Sequence, residues 1–269
     1  MEHSSVWLGS LRGPVRMAMI VFTALALVIW VWLVANRLIS AEAHGMHEMI
    51  RPQGRPIVWA MLLSLAASIV FAGIYLSDIK GAIEPERDGF FDIVSLVLSR
   101  IAMIMTALTV IVMFWEVVSR YVFSRPTLWA NELSLWIASF VFLFAGLYAM
   151  QQRSHIRIYV IYDMMPRWAQ KTSDVVSVLL ILFFTFALVW GGYSDALTRM
   201  LRMETFGTAW DPPIPGVVKP AILIIIVLVA IQAVSNLIAD WNKAPEHHSA
   251  ADEIDEIEIE NIRRTLEEK

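Results

Sequence analysis

Charged side chains stand at both ends of an uncharged run of 20 residues, 133–152. Glu132 precedes the run, and Arg153, His155 and Arg157 follow it. Carboxylates and guanidinium groups form strong, charge-assisted hydrogen bonds with oppositely charged partners. Because about 20 helical residues cross the hydrocarbon core of a bilayer, we interpret these charges as marking the two faces of a membrane. There they can contact headgroups or a partner subunit.

More polar residues are expected near Glu132. Glu116 and Arg120 lie four residues apart, in the order that favours an ion pair on a helix. Arg125 follows in a short loop, so these four side chains are predicted to form one cluster at the outer membrane face. Two explanations of Glu132 stay open, because an acid in a first helical turn is stabilised by the helix dipole but can also contact a partner.

Other residues fit a membrane interface. Trp129 and Trp136 flank Glu132 and are typical of an aromatic belt. Arg100 lies about one turn inside another apolar run, near its inner end. Its long stem can carry the guanidinium group to the lipid headgroups, with a functional ion pair as the alternative.

The side chains that many enzymes need are missing. There is no cysteine, which excludes disulfides, thiolate nucleophiles and cysteine-ligated metals. All six histidines lie outside the apolar runs, so haem held by paired histidines is not supported. We therefore predict no catalytic residue, cofactor or metal site, and the chain is not expected to be an enzyme.

Composition indicates a membrane protein. The chain is 58% hydrophobic and 17% charged, against about 25% charged residues in soluble domains. Backbone amides in hydrocarbon must be satisfied within the segment, so apolar runs of this length form helices. The fold predicted is an all-α integral membrane protein with six transmembrane helices, over residues 17–36, 57–77, 93–115, 133–152, 175–194 and 220–239.

Three regions are predicted along the chain. Residues 1–80 form a two-helix membrane extension, and residues 81–242 form a four-helix unit that opens with a polar linker. Residues 243–269 form an acidic tail, for which a short amphipathic helix and disorder are nearly equally favoured.

The basic residues favour cytoplasmic N- and C-termini. Because the hydrophilic segments alternate between the two sides, Lys and Arg divide into 12 on the side of the termini and 8 on the other, leaving out Arg100. Cytoplasmic loops are enriched in these residues. The first apolar run is longer than that of a signal peptide, so it is expected to be a retained helix, although cleavage after residues 41–43 is the alternative.

The chemistry of a transporter is also missing from the apolar runs. None has an acid at mid-depth, and none has the Gly/Pro break of a discontinuous helix. These are the features expected where a coupling ion or an anionic substrate binds within the membrane. The chain is therefore predicted to be an accessory or scaffold subunit. A membrane anchor for a redox enzyme and an autonomous small carrier are the alternatives.

A set of short motifs gives the chain a family resemblance. Residues 120–123 read RYVF, residues 129–132 read WANE, His155 and Ile156 follow a helix length later, and then come Met165 and Pro166. In this order they resemble the small, DctQ-type membrane subunit of tripartite ATP-independent periplasmic (TRAP) transporters. The loop containing Trp210, Pro212 and Pro213 is similar to the family's Thr-rich loop.

The resemblance implies a function and partners. TRAP systems import organic acids with a sodium gradient; a periplasmic binding protein captures the substrate, and a large membrane subunit moves it. The small subunit would be a fixed scaffold in the bacterial inner membrane, in contact with both proteins and with lipids, and no nucleic acid partner is expected. The partner-interface residues so implied are Trp129, Glu132, Glu116, Arg120, Arg125 and Trp210, with Arg153, His155 and Arg157 at the cytoplasmic rim.

Overall fold

The computed structural model describes residues 5–40, 43–79, 89–153, 162 and 164–242. Within these ranges the chain is helical, with no strand. The six long helices are α1 (Arg12–Ile39), α2 (Pro56–Ser77), α3 (Phe90–Tyr121), α4 (Ala130–Gln151), α5 (Arg167–Leu201) and α6 (Ile214–Asp240). The predicted acidic tail, His155 and Arg157 lie outside the described residues.

All six long helices have the length and hydropathy to cross a membrane. The prediction of an all-α integral membrane protein with six spans is therefore confirmed. Several helices extend beyond the predicted apolar runs: α5 has 35 residues, which correspond to about 52 Å. Since a bilayer core is about 30 Å thick, the ends of α5 project past the hydrocarbon on both sides.

The helices pack in a row rather than around a common centre. The order of neighbours is α1, α2, α3, α4, α6, α5, and α3 also touches α6. Consequently α1 packs mainly on α2, and α5 mainly on α6. Many large apolar side chains along the row are exposed, among them Phe183 and Trp190 of α5. These surfaces face lipid or a partner protein.

Small residues let α2 approach its neighbours closely. The hydroxyls of Ser68 and Thr23 lie 2.6 Å apart across α1 and α2, and the rings of Phe22 and Phe71 stack with centroids 5.6 Å apart. On the side of α3, a methyl group added at Gly73 would lie 2.6 Å from Cγ1 of Ile101. Close backbone approach of this kind is typical of packed membrane helices.

The segment before α1 is fastened to the end of α2 by the buried carboxylate of Asp78. Oδ1 of Asp78 accepts hydrogen bonds from the Ser5 hydroxyl and from the backbone N–H groups of residues 6–8, at 2.8–3.1 Å. Oδ2 forms an ion pair with Arg12 at 3.0 Å. Burial raises the pKa of Asp78, but the hydrogen bonds from Leu8 and its neighbours outweigh burial, so the net pKa lies below its ordinary value.

Buried polar side chains join α3, α4 and α6 near the end of the bundle where α6 finishes. The amide of Gln232 donates to Asp92 at 2.6 Å and to Asn236 at 2.9 Å, and accepts a hydrogen bond from Ser95. Asn236 in turn donates to the carbonyl of Met150. Because buried polar groups are costly when unpaired, this network fixes how the three helices meet.

Candidate functional site

The predicted partner residues lie mostly at one end of the bundle. At this end α1, α3 and α5 finish and α2, α4 and α6 begin, and residues 40–55, 122–129 and 202–213 connect them. We call this end the loop face. Exposed polar and aromatic side chains there make it the candidate site.

Glu116 organises the loop between α3 and α4. Its carboxylate is buried, although it lies at the end of an exposed helix. It pairs with Arg120 at 2.5 Å and accepts hydrogen bonds from both the backbone N–H and the hydroxyl of Thr127. Ser119 and Arg125 are joined through two further bonds, one to the Arg125 carbonyl and one from its N–H. The loop backbone is thereby held in one conformation.

Glu132 contacts a different loop. Its carboxylate accepts a hydrogen bond from the hydroxyl of Thr208 at 2.7 Å. In the part of the chain that the structure describes, it forms no ion pair with Arg120 or Arg125, whereas Glu116 does pair with Arg120. Trp129 occupies the N-cap position of α4.

Trp210 connects the loop face to the first two helices. Its side chain is only 4% exposed, and its indole N–H donates to the carbonyl of Met46 at 2.8 Å. Next to it, Asp211 pairs with Arg51 at 3.5 Å. A hydrogen bond from the Gly207 backbone, together with the Arg51 charge, lowers the pKa of Asp211. Loop 202–213 therefore lies against the loop between α1 and α2.

Sequence reasoning missed Thr208, Arg51 and Asp211. Thr208 is one polar residue in a loop of similar ones, and Arg51 lies 160 positions from its partner. The aspartate after Trp210 was the one available signal, because Asp in a turn commonly bonds nearby backbone.

A charged cluster joins the loop-face ends of α5 and α6. Asp195 bonds Arg199 at 2.8 Å and Lys219 at 2.5 Å, and Arg199 also pairs with Glu204. A methyl group at Gly216 would lie 3.0–3.2 Å from the backbone of residues 199, 203 and 204. The start of α6 therefore packs directly on the turn that ends α5.

The opposite end of the bundle holds the remaining candidates. Arg153 bonds Asp240 at 2.5 Å, which joins the ends of α4 and α6. The guanidinium group of Arg100 lies 3.8 Å from the sulfur of Met103 and is half-buried. His155 and Arg157 are not among the residues described.

The side chains of the loop face are joined by ion pairs and hydrogen bonds. Across residues 5–242, omitting the gaps given above, no group of three His, Asp or Glu side chains could hold a metal. Two open grooves, of about 320 and 410 Å³, run along the surfaces of α5 and α6 and have mainly apolar linings. The ion pairs and hydrogen bonds of the loop face serve instead to fix its loops.

Comparison with known proteins identifies one family. Residues 109–243 match the sequence model of the family described as "Tripartite ATP-independent periplasmic transporters, DctQ component". The match covers half of the chain, from within α3 to just past α6. No curated protein matches the chain.

Proposed function

Because the chain belongs to the DctQ family of TRAP transporter components, we propose that it is the small permease subunit of a sodium-coupled importer of organic acids. In this role it is a static scaffold for a large elevator-type subunit, and a periplasmic binding protein delivers the substrate. The family resemblance supports sodium coupling and the substrate class, and the six spans support a multi-pass location in the bacterial inner membrane.

The single observation that carries the scaffold role is the position of the acidic side chains in the six helices. The described acids of the six helices lie near their ends, and each makes contacts within the protein, as Glu116 and Asp92 do. No acid lies at mid-depth in these helices. A coupled carrier needs a binding site for its ion within the membrane, so transport is assigned to the partner.

The row of helices supports a scaffold in a second way. Elevator transport needs one element that stays still while another moves. A row of helices offers two broad apolar faces, one for lipid and one for the large subunit. The Gln232 network stiffens one end of the bundle, and the hydrogen bonds of the loop face stiffen the other.

We propose that residues 1–80 are an extension that enlarges this fixed body, ahead of the four-helix unit of residues 81–242. Three contacts support a firm attachment: Gly73 against Ile101, Trp210 with Met46, and Arg51 with Asp211. The distribution of Lys and Arg supports cytoplasmic N- and C-termini, and in that orientation the loop face is periplasmic.

The partner-interface residues divide into two roles in this proposal. Trp129, Glu132, Arg120 and Arg125 have exposed or half-buried side chains that can touch a partner. Glu116 and Trp210 are buried, so they act by positioning the loops that carry the others.

The proposal is tested by co-expression with a large subunit and reconstitution. The two proteins should co-purify, and sodium-driven uptake of an organic acid should require both of them and the binding protein. Uptake by this chain alone would support an autonomous carrier, and a haem absorbance band in the purified protein would support a redox anchor. Either result would contradict the proposal.

A further inference from the structure

We propose that the loop face is a cationic docking surface for the soluble substrate-binding protein, with the guanidinium groups of Arg125 and Arg202 as its main contacts. This inference rests on the proposed function, and it names the surface and the charge of the partner. Four features of the loop face support it. Its carboxylates are bonded within the protein, two of its arginines are unpaired among the described residues, one loop extends beyond the hydrocarbon, and the loops are held rigidly.

The carboxylates of the loop face are already used inside the protein. Each of the six in the described loops and helix ends accepts a hydrogen bond from another part of the chain. They are Glu48, Glu116, Glu132, Asp195, Glu204 and Asp211. The oxygens of these carboxylates are thus already engaged within the protein.

Cations outnumber these acids, and two of them are free. The described part of this face carries eight, which are Arg37, Arg51, Arg55, Arg120, Arg125, Arg199, Arg202 and Lys219. Arg125 and Arg202 are exposed, and neither guanidinium group has a hydrogen bond or ion pair to another described residue. With eight cations and six acids, the described part of this face has a net charge of +2.

The tip of the loop between α3 and α4 extends beyond the hydrocarbon. The apolar run of α3 ends at Trp115, and Tyr121 lies six residues further, about 9 Å along the axis. The headgroup layer on each side of a bilayer is about 5–8 Å thick. Tyr121, Val122 and Phe123, which are 77%, 70% and 59% exposed, thus lie beside Arg125 at the outer edge of this layer.

A rigid surface of Arg and aromatic side chains suits a protein partner. Arg, Tyr and Phe are enriched at protein interfaces. The Glu116 and Ser119 bonds hold this loop in place before binding, which reduces the entropy lost on association. The contacts of Trp210 and Asp211 hold the loop that begins at Arg202 in the same way. The partner that fits is a soluble protein with an acidic docking face, steered by the positive charge.

The experiment uses the complex of this chain with its large subunit in phosphatidylcholine nanodiscs and measures its Kd for the binding protein. The double variant Arg125→Glu/Arg202→Glu should weaken binding about tenfold or more and reduce the dependence of Kd on salt. The control Arg16→Glu, an exposed arginine at the opposite end of α1, should leave Kd unchanged. Co-purification with the large subunit should be unaltered in both variants.

The outcomes separate this inference from the proposed function. A wild-type chain that does not co-purify with a large subunit would overturn both. A complex whose Kd is unchanged by the double variant would overturn the inference alone. Thermal stability in nanodiscs of anionic lipid then shows what the two arginines do. If Kd is unchanged and the double variant is less stable only in anionic lipid, the arginines bind lipid headgroups, and the inference is again overturned alone.

Discussion

The indole N–H of Trp210 donates to the backbone carbonyl of Met46, 164 residues earlier in the chain. This bond joins the loop that precedes the last helix to the loop between the first two. Residue 46 lies outside the segment that matches the family model, and residue 210 lies inside it. The contact therefore ties the additional helices to the family's own unit.

Trp210→Phe should lower the thermal stability of the purified protein. Phenylalanine fills most of the indole volume but leaves the carbonyl of half-buried Met46 without its donor, which costs at most about 1–3 kcal/mol. The measurement is thermal unfolding in detergent. Trp190→Phe is the control, because Trp190 is 79% exposed and should tolerate the change. Equal losses in the two variants would mean that the Met46 bond does not stabilise the loop face.

Gly73→Ala should loosen the packing of α2 on α3. The new methyl group would lie 2.6 Å from Cγ1 of Ile101, and such overpacking costs about 1–3 kcal/mol. Adding Ile101→Ala removes the clashing atoms and should restore part of the stability. Gly146→Ala is the matched control, since a methyl group there meets nothing within 4 Å. If Gly73→Ala and Gly146→Ala unfold at the same temperature, the close contact is not formed.

Asp78→Asn should release the segment before α1. The carboxylate receives four hydrogen bonds at one oxygen and an ion pair from Arg12 at the other, and Asn cannot accept all of them. Limited proteolysis near the N-terminus reports the release. Arg12→Gln should have a similar but smaller effect, whereas Arg16→Gln, at an exposed position, should have none. Wild-type resistance in the Asn variant would contradict this role of the carboxylate.

The stabilising effect of Asp78 should also depend on pH. Its pKa is lower in the folded protein than in the unfolded chain, so the contribution to stability is complete above the unfolded value of about 3.9. It is lost as the pH falls through the lower folded pKa. Wild-type and Asp78→Asn proteins should therefore converge in stability only in strong acid. If the difference in stability between wild type and Asp78→Asn stays constant into strong acid, the ionised Asp78 carboxylate is not what stabilises the protein.

The apolar runs were sufficient to predict the six helices, because a backbone in hydrocarbon has few alternatives to a helix. Their ends were harder to predict. Residues 93–115 of α3 were predicted as apolar, but the helix continues to Tyr121. Outside the bilayer core, polar contacts can extend a helix. In α3 the ion pair between Glu116 and Arg120 is such a contact. Hydropathy does not register such contacts.

The contacts between distant loops could not be predicted. The pairs Trp210–Met46 and Glu132–Thr208 depend on the order in which the helices pack, with α6 next to α4. Local spacing does predict the pair Glu116–Arg120, which lies within one helix. It does not predict which loops meet, since the packing faces of membrane helices are mostly small or apolar and resemble one another in sequence.

Glu132 offers the most direct test of a partner contact at the loop face. Within the described chain its carboxylate accepts a hydrogen bond from Thr208. If Glu132 has a purely internal role, Thr208→Val should be as damaging as any change at Glu132. We expect otherwise. Glu132→Gln keeps an acceptor for Thr208 but removes the charge, and it should weaken association with the large subunit about tenfold, as the loss of one charge-assisted hydrogen bond would. Glu132→Lys should weaken association further.

The comparison needs a control chosen from the structure. Asp195 is unsuitable, because it is paired with Arg199 and Lys219 and its replacement would disturb α5 and α6. Thr208→Val is the better control, since it removes the internal bond and leaves the Glu132 carboxylate in place. Affinity for the large subunit, measured with purified proteins, should then rank wild type and Thr208→Val above Glu132→Gln, and Glu132→Gln above Glu132→Lys. If Thr208→Val falls to the level of Glu132→Gln, the carboxylate serves the fold of the loop and not the partner.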